Sequence, residues 1–475
     1  MRRLLALAML FLLIACPRPG LAGDPLSIAR AVEMAVEYSP LLKAMTAGER
    51  AAREQVGAAQ AMSRPKISLS ATDSRMNSPL RVFGTKLEQQ RVTMADFDPN
   101  RLNHPDYENN LQVGMQILQP LSLGGIDRHA VAAARQGEQA SRLDTELAKQ
   151  QTIFHTIEAY LQVVLARESV AVAEKAVEAS RESVRNASAA FEAMQAVEAD
   201  LLQAKVHHAQ NEETLLRYNN QYRLAREGLA TMLGVPSADE FDLTMPFLEQ
   251  VCETCQQDPQ DLLKEALANR PDYLKLERDY QAMLHRERMA RGKTRPHLAV
   301  GAQFEHNRRD LSQDGHGHTM VFARADWNLV DGGEARHQAG EARSQAERLA
   351  KMREATADRI FLEIREAVFT INNALTRIQV SREAIRQSEE ALRILRNRYV
   401  AGLAIVSDLL GAETALLSHQ MNHLQALYDY SISRARLKLA LGELTVEKCA
   451  LLHRAATGEP MPEPAPMPTA AASRP

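Results

Sequence analysis

Residues 397–417 read NRYVAGLAIVSDLLGAETALL, and this stretch has a counterpart, AAFEAMQAVEADLLQAKVHHA, at residues 189–209. Phe191 in the first copy corresponds to Tyr399 in the second, an offset of 208 residues. At the same offset, Asp200-Leu201-Leu202-x-Ala204 corresponds to Asp408-Leu409-Leu410-x-Ala412. The chain is therefore predicted to contain two copies of one helical hairpin, each with the same turn.

Each hairpin is predicted to contain a very long helix. No proline occurs between Pro120 and Pro236 or between Pro296 and Pro460, and proline is the residue that most strongly interrupts a helix. Apolar residues recur every seven positions, at Val163, Val170, Val177, Val184 and Phe191 and again at Ile371, Ile378, Ile385, Leu392 and Tyr399. The d-like positions between them are mostly small, which predicts a narrow seam and close approach of neighbouring helices.

Two Gly-Gly pairs mark the points where predicted strands give way to these helices. They are Gly124-Gly125 in LGGIDRH and Gly332-Gly333 in DGGEARH, again 208 residues apart. Strands are predicted at about 66–74, 110–119, 297–306 and 318–328, where apolar and polar residues alternate. This length and alternation are typical of transmembrane barrel strands, although alternation alone also fits a half-buried soluble sheet.

The repeats are predicted to occupy residues 23–234 and 259–444, joined by a segment at 235–258. The long helices are expected at about 125–190 and 333–399, and the return helices at about 199–233 and 407–443. Upstream of the strands the offset between copies is 231, as Pro40 and Pro271 show. The first copy therefore carries extra residues, which we expect to form a loop between its strands.

The chain begins with MRRLLALAMLFLLIAC, in which two arginines precede an apolar run too short to span a bilayer comfortably. This predicts export, with a signal peptide at residues 1–22 cleaved after Ala22. A lipid anchor at Cys16 is the alternative, because the preceding residues have the shape of a bacterial lipobox. Cys252 and Cys255 are predicted to be a structural disulfide or an incidental pair, and a redox-active pair is the alternative. Residues 445–475 are predicted to be a disordered, proline-rich tail.

Composition excludes some classes of function. The net charge is −3, which argues against a strongly basic nucleic-acid binder. The sequence contains no nucleophile-elbow, phosphate-loop or metalloprotease pattern. We therefore predict no enzyme activity, no cofactor and no metal site.

The predicted strands need partners from other chains. Four strands cannot close a barrel, and unpaired strand edges are not tolerated in hydrocarbon. Three copies of the chain would supply twelve strands. Because long helices flank the strands in both repeats, the helices are expected to continue such a barrel as a tube.

From Asp24 to about Glu443 the sequence resembles the TolC family of bacterial outer-membrane efflux proteins. The duplicated helix-strand-strand-helix order, the Gly-Gly joints and the turn YVAGLAIVSDLLGAE carry this resemblance. It implies a mainly α protomer with a β-barrel part, a homotrimer with a twelve-stranded outer-membrane barrel set among outer-membrane lipid, and a helical tunnel in the periplasm. It also implies docking to a periplasmic adaptor protein and, through it, to an inner-membrane pump of the RND or ABC type.

The resemblance places the repeated turn at the periplasmic tip, where the family narrows its channel or docks its adaptor. Carried over to this chain, the residues are Phe191, Asp200, Tyr399, Gly402 and Asp408. Ala404 and Gly411 depart from the best-known member of the family, which has an arginine and a second aspartate at these positions. Capping is the alternative role for both aspartates, because Ser407 is a good N-cap residue and an acid in the first turn complements the helix dipole.

Two functions from different classes follow from these features. The first is a passive exit duct in the outer membrane, serving a tripartite efflux or type I secretion system. The second is a periplasmic coiled-coil structural protein, whose strands form a small soluble sheet and which contains no channel. Fractionation of cells distinguishes them, because only the first is recovered as outer-membrane trimers.

Overall fold

The computed structural model describes residues 26–236, 242–243, 258–312 and 314–447. The predicted signal peptide with Cys16, the Cys252 and Cys255 pair and most of the predicted tail lie outside these residues. Those predictions stay predictions.

The first repeat alternates short helices, two strands and two long helices. Its elements are α1 (Ile28–Tyr38), α2 (Pro40–Gln60), β1 (Lys66–Met76), α3 (Pro79–Glu88), α4 (Pro99–Asn103), β2 (Glu108–Leu123), α5 (Ile126–Glu192) and α6 (Glu198–Leu233). The second repeat consists of α7 (Pro259–Asn269), α8 (Pro271–Gly292), β3 (His297–Arg308), β4 (His316–Asp326), α9 (Glu334–Val400) and α10 (Val406–Ala440). The duplicated helix-strand-strand-helix protomer predicted from the sequence is confirmed.

The first short helix of each repeat has the same type of N-cap. Ser27 and Asp258, 231 residues apart, each cap a short helix through a side-chain oxygen, which accepts from the backbone N–H of Arg30 at 3.2 Å and of Gln260 at 3.0 Å. Each short helix is followed by a proline at the first position of the next helix, where proline's missing N–H costs nothing. The same local signals therefore fold both copies in the same way.

The expected loop between β1 and β2 is wrong in part, because this segment contains the helices α3 and α4. Pro79 and Pro99 start them, and the Asp98 side chain caps α4 by accepting from the backbone N–H of Asn100 and Arg101. Buried amides attach the segment to the strands, since Gln89 Nε2 donates to Asn110 Oδ1 at 3.0 Å. A short helix that begins with proline resembles a loop in sequence, because five to ten residues are too few to show the helical spacing of apolar residues.

The four strands form one antiparallel sheet in the order β1-β2-β3-β4. The register places Leu69 opposite Met115 and Met115 opposite Phe304, so apolar side chains form a row across one face. These side chains are exposed within the single chain, by 77% for Leu69 and 42% for Phe304. Because β1 and β4 each pair on one side only, the sheet has two open edges within the described chain.

The chain divides into two units. One comprises Thr46–Leu143 and Lys275–Glu354 and contains the sheet; the other comprises Met1–Met45, Asp144–Leu274 and Ala355–Pro475 and, where described, is helical. In the helical unit, α1 buries Val32 against α5 and α10, while α7 buries Leu262 and Ala266 against α9 and α10. The equivalent short helices of the two repeats therefore each close a core formed by the long helices.

The small residues of the predicted seams are buried as expected for close helix contact. Ser180 and Ala187 of α5 are 0% exposed, and Ala374 of α9 is 1% exposed. The larger heptad residue Phe191 is 39% exposed, because it lies at the end of α5 beside the turn. Within the described ranges, no helix is long and apolar enough to cross a bilayer.

Candidate functional site

The two hairpin turns have the same backbone geometry. In the first, the N–H of Met194 donates to the carbonyl of Phe191 at 2.9 Å; in the second, the N–H of Gly402 donates to that of Tyr399 at 3.0 Å. Met194 and Gly402 occupy equivalent positions and are both left-handed, with φ of 56° and 72°. The conformation suits glycine but is costly for methionine, so the first turn carries strain that the second avoids.

The return helices begin without a side-chain cap. The residue before α6 is Val197 and the residue before α10 is Ile405, and neither contributes a side-chain hydrogen bond. The expected N-cap at Ser407 is wrong, because the N-cap is Ile405, two residues earlier, and Ser407 is the second residue of α10. Asp200 and Asp408 are both the third residue of their helices, where a carboxylate still complements the helix dipole.

The repeated motif packs against itself. Leu201 and Ala204 of the first turn contact Val406 and Leu410 of the second, and Ala187 completes this cluster. All five side chains are buried, and Ala187 and Ala204 are fully so. The tertiary structure therefore brings the two turns, 208 residues apart in sequence, to one end of the helical unit.

The predicted site residues are only partly brought together. Tyr399 packs against the buried cluster, and burial raises the pKa of its hydroxyl, with the nearby Asp200 carboxylate raising it further. The Tyr399 hydroxyl is buried without a hydrogen-bond partner in the described chain. Phe191, Gly402 and Asp408 are exposed, and of these three only Gly402 is bonded to Tyr399 in the described hydrogen bonds, through the backbone of the turn.

A buried carboxylate near the turns escaped the sequence analysis. The side chain of Glu413, on α10, is 6% exposed, and its Oε1 accepts a hydrogen bond from Ser183 Oγ of α5 at 2.7 Å. Its Oε2 lies 3.3 Å from His207 Nε2 of α6 without a hydrogen bond. Arg396 of α9 approaches Oε1 to 3.9 Å. One carboxylate thus contacts a residue from each of the other three helices of the two hairpins.

A sequence signal for Glu413 did exist. It lies four residues after Leu409, which places it on the inward face of α10, where an acid is unusual unless it has partners. Its equivalent in the first repeat, Lys205, is exposed. The repeat therefore differs at this position, and only the second copy provides the buried charge.

The Gly-Gly joints are at the predicted strand-to-helix transitions, and all four glycines have positive φ, from 64° to 88°. Their surroundings differ. A Cβ on Gly124 would lie 2.5 Å from the carbonyl oxygen of Gly292, whereas a Cβ on Gly332 would meet no atom within 4 Å. Gly124 therefore permits close approach of the end of α8, while Gly332 is required only by its backbone angle.

Comparison with known proteins identifies relatives of the whole architecture. A family model described as "Outer membrane efflux protein" matches residues 31–235 and 262–443. The outer membrane efflux protein BepC of Brucella suis biovar 1 (strain 1330) is 23% identical over 427 residues, covering 90% of this chain and 87% of that protein. Both matches span the two repeats.

Solved structures share the fold. The outer membrane protein VceC from Vibrio cholerae superposes with a TM-score of 0.73 at 20% identity, covering 87% of this chain and 96% of that one. The CmeC outer membrane channel of Campylobacter jejuni gives a TM-score of 0.74 at 18% identity, with 90% and 89% covered. At these identities the likeness shows the fold alone.

Proposed function

Because the chain belongs to the outer membrane efflux protein family, we propose that it is a passive exit duct through which a tripartite efflux or type I secretion system exports substrates. The observation that carries the proposal is the combination of a four-stranded sheet with open edges and long paired helices in both repeats. The family match favours this function over a periplasmic structural coiled coil.

The duct is a homotrimer. The open edges of β1 and β4 expose backbone hydrogen-bonding groups that hydrocarbon does not tolerate, and pairing them with two further copies gives a closed barrel of twelve strands. The exposed apolar row that includes Leu69 and Met115 then faces lipid. No chemistry is required of the protomer, because transport energy comes from the inner-membrane pump.

The paired turns form the periplasmic constriction. Ala404 and Gly411 cannot supply the arginine and second aspartate of the best-known family member, so we infer that another contact holds the hairpins together. Glu413 supplies it, because its carboxylate contacts a residue from each of the other three hairpin helices. Asp408 is exposed, and three copies of it around one axis would form an acidic ring that favours cations.

The exposed tips of the same turns are the docking surface for a periplasmic adaptor. Apolar side chains there are unusually exposed, with Met194 at 95%, Leu403 at 68% and Ile405 at 64%. Exposed apolar residues at the end of a helical hairpin suit a helical partner with an apolar tip. An adaptor bound there would connect the duct to a pump of the RND or ABC type.

Cell fractionation and bilayer recording test the proposal. We expect the protein in outer-membrane fractions as trimers that insert into planar bilayers and conduct ions. Asp408→Asn should reduce the cation preference of that conductance, with Glu389→Gln, another exposed acid, as the control. Recovery as a soluble periplasmic monomer without conductance would contradict the duct, and unchanged selectivity in Asp408→Asn would remove the acidic ring.

A further inference from the structure

A cluster of basic side chains lies at the first strand-to-helix joint. His129 follows Arg128 in the first turn of α5, and His285 and Arg288 are three residues apart on one face of α8. The rings of His129 and His285 are in contact, with 3.4 Å between their Nδ1 atoms. We call these four residues, together with Arg295, the joint cluster.

Arg295 ties this cluster to the Gly-Gly joint. Its Nη1 lies 3.5 Å from the carbonyl oxygen of Gly124, and its Cβ lies 3.0 Å from where a Cβ on Gly124 would be. Gly124 directly follows β2, and Arg295 stands two residues before the first residue of β3. The cluster is therefore held at the ends of the two central strands of the sheet.

The arginines of the cluster carry uncompensated charge. Burial lowers the pKa of His129, and the positive charge of His285, Arg288, Arg295 and Arg128 lowers it further. Burial and Arg288 likewise lower the pKa of His285. Over the residues with described side chains, the three arginines form no ion pair, and the nearby Glu287 is paired with Arg291.

The equivalent sequence positions of the other repeat do not carry the same set of basic residues. Arg336 and His337 repeat Arg128 and His129, and Arg64 repeats Arg295, but α2 has Glu54 and Gly57 where α8 has His285 and Arg288. The cluster is thus not a by-product of the duplication. Only one of the two equivalent sets of positions therefore carries the basic residues.

We propose that the joint cluster binds the phosphate-bearing headgroup of an anionic phospholipid in the periplasmic leaflet of the outer membrane. Arginine guanidinium groups match phosphate oxygens in charge and geometry, and basic side chains next to a membrane-spanning segment attract anionic lipid. The site rests on the proposed membrane-embedded duct, in which the helical ends of the strands face the periplasm.

An independent feature places headgroups at this level. Trp327, the single tryptophan of the chain, directly follows β4 and is 61% exposed, and its Nε1 donates to the carbonyl of Thr294 at 3.1 Å. Tryptophan with an exposed ring and a satisfied N–H is enriched where hydrocarbon meets headgroups. Thr294 adjoins Arg295, so the aromatic ring and the joint cluster lie at the same end of the sheet.

Native mass spectrometry of the purified protein tests the site. The wild-type protein in detergent would be titrated separately with phosphatidylglycerol, phosphatidylethanolamine and inorganic phosphate, and the retained ligand would be measured. We expect selective retention of phosphatidylglycerol. The Arg128→Gln/Arg288→Gln variant should bind it roughly 25-fold more weakly, since each basic residue near anionic lipid contributes about a fivefold factor.

Matched variants make the result decisive. Arg336→Gln, at the equivalent position of the second joint, should retain phosphatidylglycerol like wild type. The Arg128→Lys/Arg288→Lys variant keeps the charge and should retain most of the binding, which covers the case in which the glutamine variant fails to fold.

Three results would overturn the site. They are equal retention of the two lipids, undiminished retention in a folded glutamine variant, and a response to inorganic phosphate that matches the response to lipid. In trimers recovered from the outer membrane, each of these results would refute the lipid site and leave the duct standing.

Discussion

Removal of the Glu413 carboxylate should loosen the contact between the two hairpins. The carboxylate accepts a hydrogen bond from Ser183 at 2.7 Å and lies 3.3 Å from His207, and its side chain is 6% exposed. Hydrogen bonds to a charged group contribute about 1.5–3 kcal/mol, and removal of one buried partner leaves the others unsatisfied. We therefore expect Glu413→Ala to lower the free energy of unfolding by about 2–4 kcal/mol per protomer.

Glu413→Gln separates charge from shape. The glutamine side chain keeps an oxygen that can accept from Ser183, so the free energy of unfolding should fall by only about 1 kcal/mol, the difference between a hydrogen bond to a charged group and a neutral one. Glu389→Gln removes an exposed carboxylate from α9 and serves as the control. Thermal unfolding of the purified protein, followed by far-UV circular dichroism, should rank the variants as wild type and Glu389→Gln, then Glu413→Gln, then Glu413→Ala.

Single-channel recording gives the functional side of the same prediction. If Glu413 holds the hairpins together at the constriction, both Glu413 variants should conduct more than wild type, in the order of their destabilisation. A Glu413→Ala protein that melts and conducts like wild type would show that the Glu413 carboxylate does not hold the hairpins together. Lower stability with unchanged conductance would show that the contact is structural and does not set the opening.

Three further outcomes follow from the geometry. Gly332→Ala should lower the free energy of unfolding by about 1–2 kcal/mol, because alanine must adopt a positive φ there. Gly124→Ala should lower it further, because its Cβ would also lie 2.5 Å from a backbone carbonyl oxygen. Chemical denaturation of the two variants measures this difference. Met194→Gly should stabilise the first turn by about 1 kcal/mol, whereas Gly402→Ala should destabilise the second. A higher melting temperature for Gly402→Ala than for wild type would contradict the predicted strain at this position. Hydrogen bonds from a lysine and from Thr93 lower the pKa of Asp96 from 3.8 to about 2. A carboxyl group whose pKa is lower in the folded than in the unfolded chain stabilises the fold at pH values above its unfolded pKa. The segment between β1 and β2 should therefore keep its full protection from hydrogen exchange above about pH 4. It should lose that protection as the pH falls through about 2.

Much of the architecture follows from local signals in the sequence. Absence of proline and the seven-residue spacing through Val177 and Ile378 are enough to predict the long helices, because both depend only on neighbours within one or two turns. The Gly-Gly pairs mark the strand-to-helix joints for the same reason, since a positive φ is a property of the residue itself. The duplication then extends each local assignment to the other copy.

Local signals failed where several weak preferences compete. Ser407 is a better capping residue by type than Ile405, yet α10 starts at Val406, because burial of Val406 in the cluster between the turns fixes the start of the helix. The helices α3 and α4 were missed because they are short. In each case, packing or chain geometry outweighed the preference of a single residue.

Residue spacing and backbone preference are sufficient to predict the duplicated helical hairpins, the four strands and the position of both turns. Which side chains meet depends instead on how the helices and strands pack. Glu413 and Ser183 are 230 residues apart, and His129 and His285 are 156 apart. No local pattern encodes such pairs, since they arise only when separate helices pack. The two copies differ in sequence at these positions, and packing turns those differences into a buried carboxylate in one hairpin and a basic cluster at one joint.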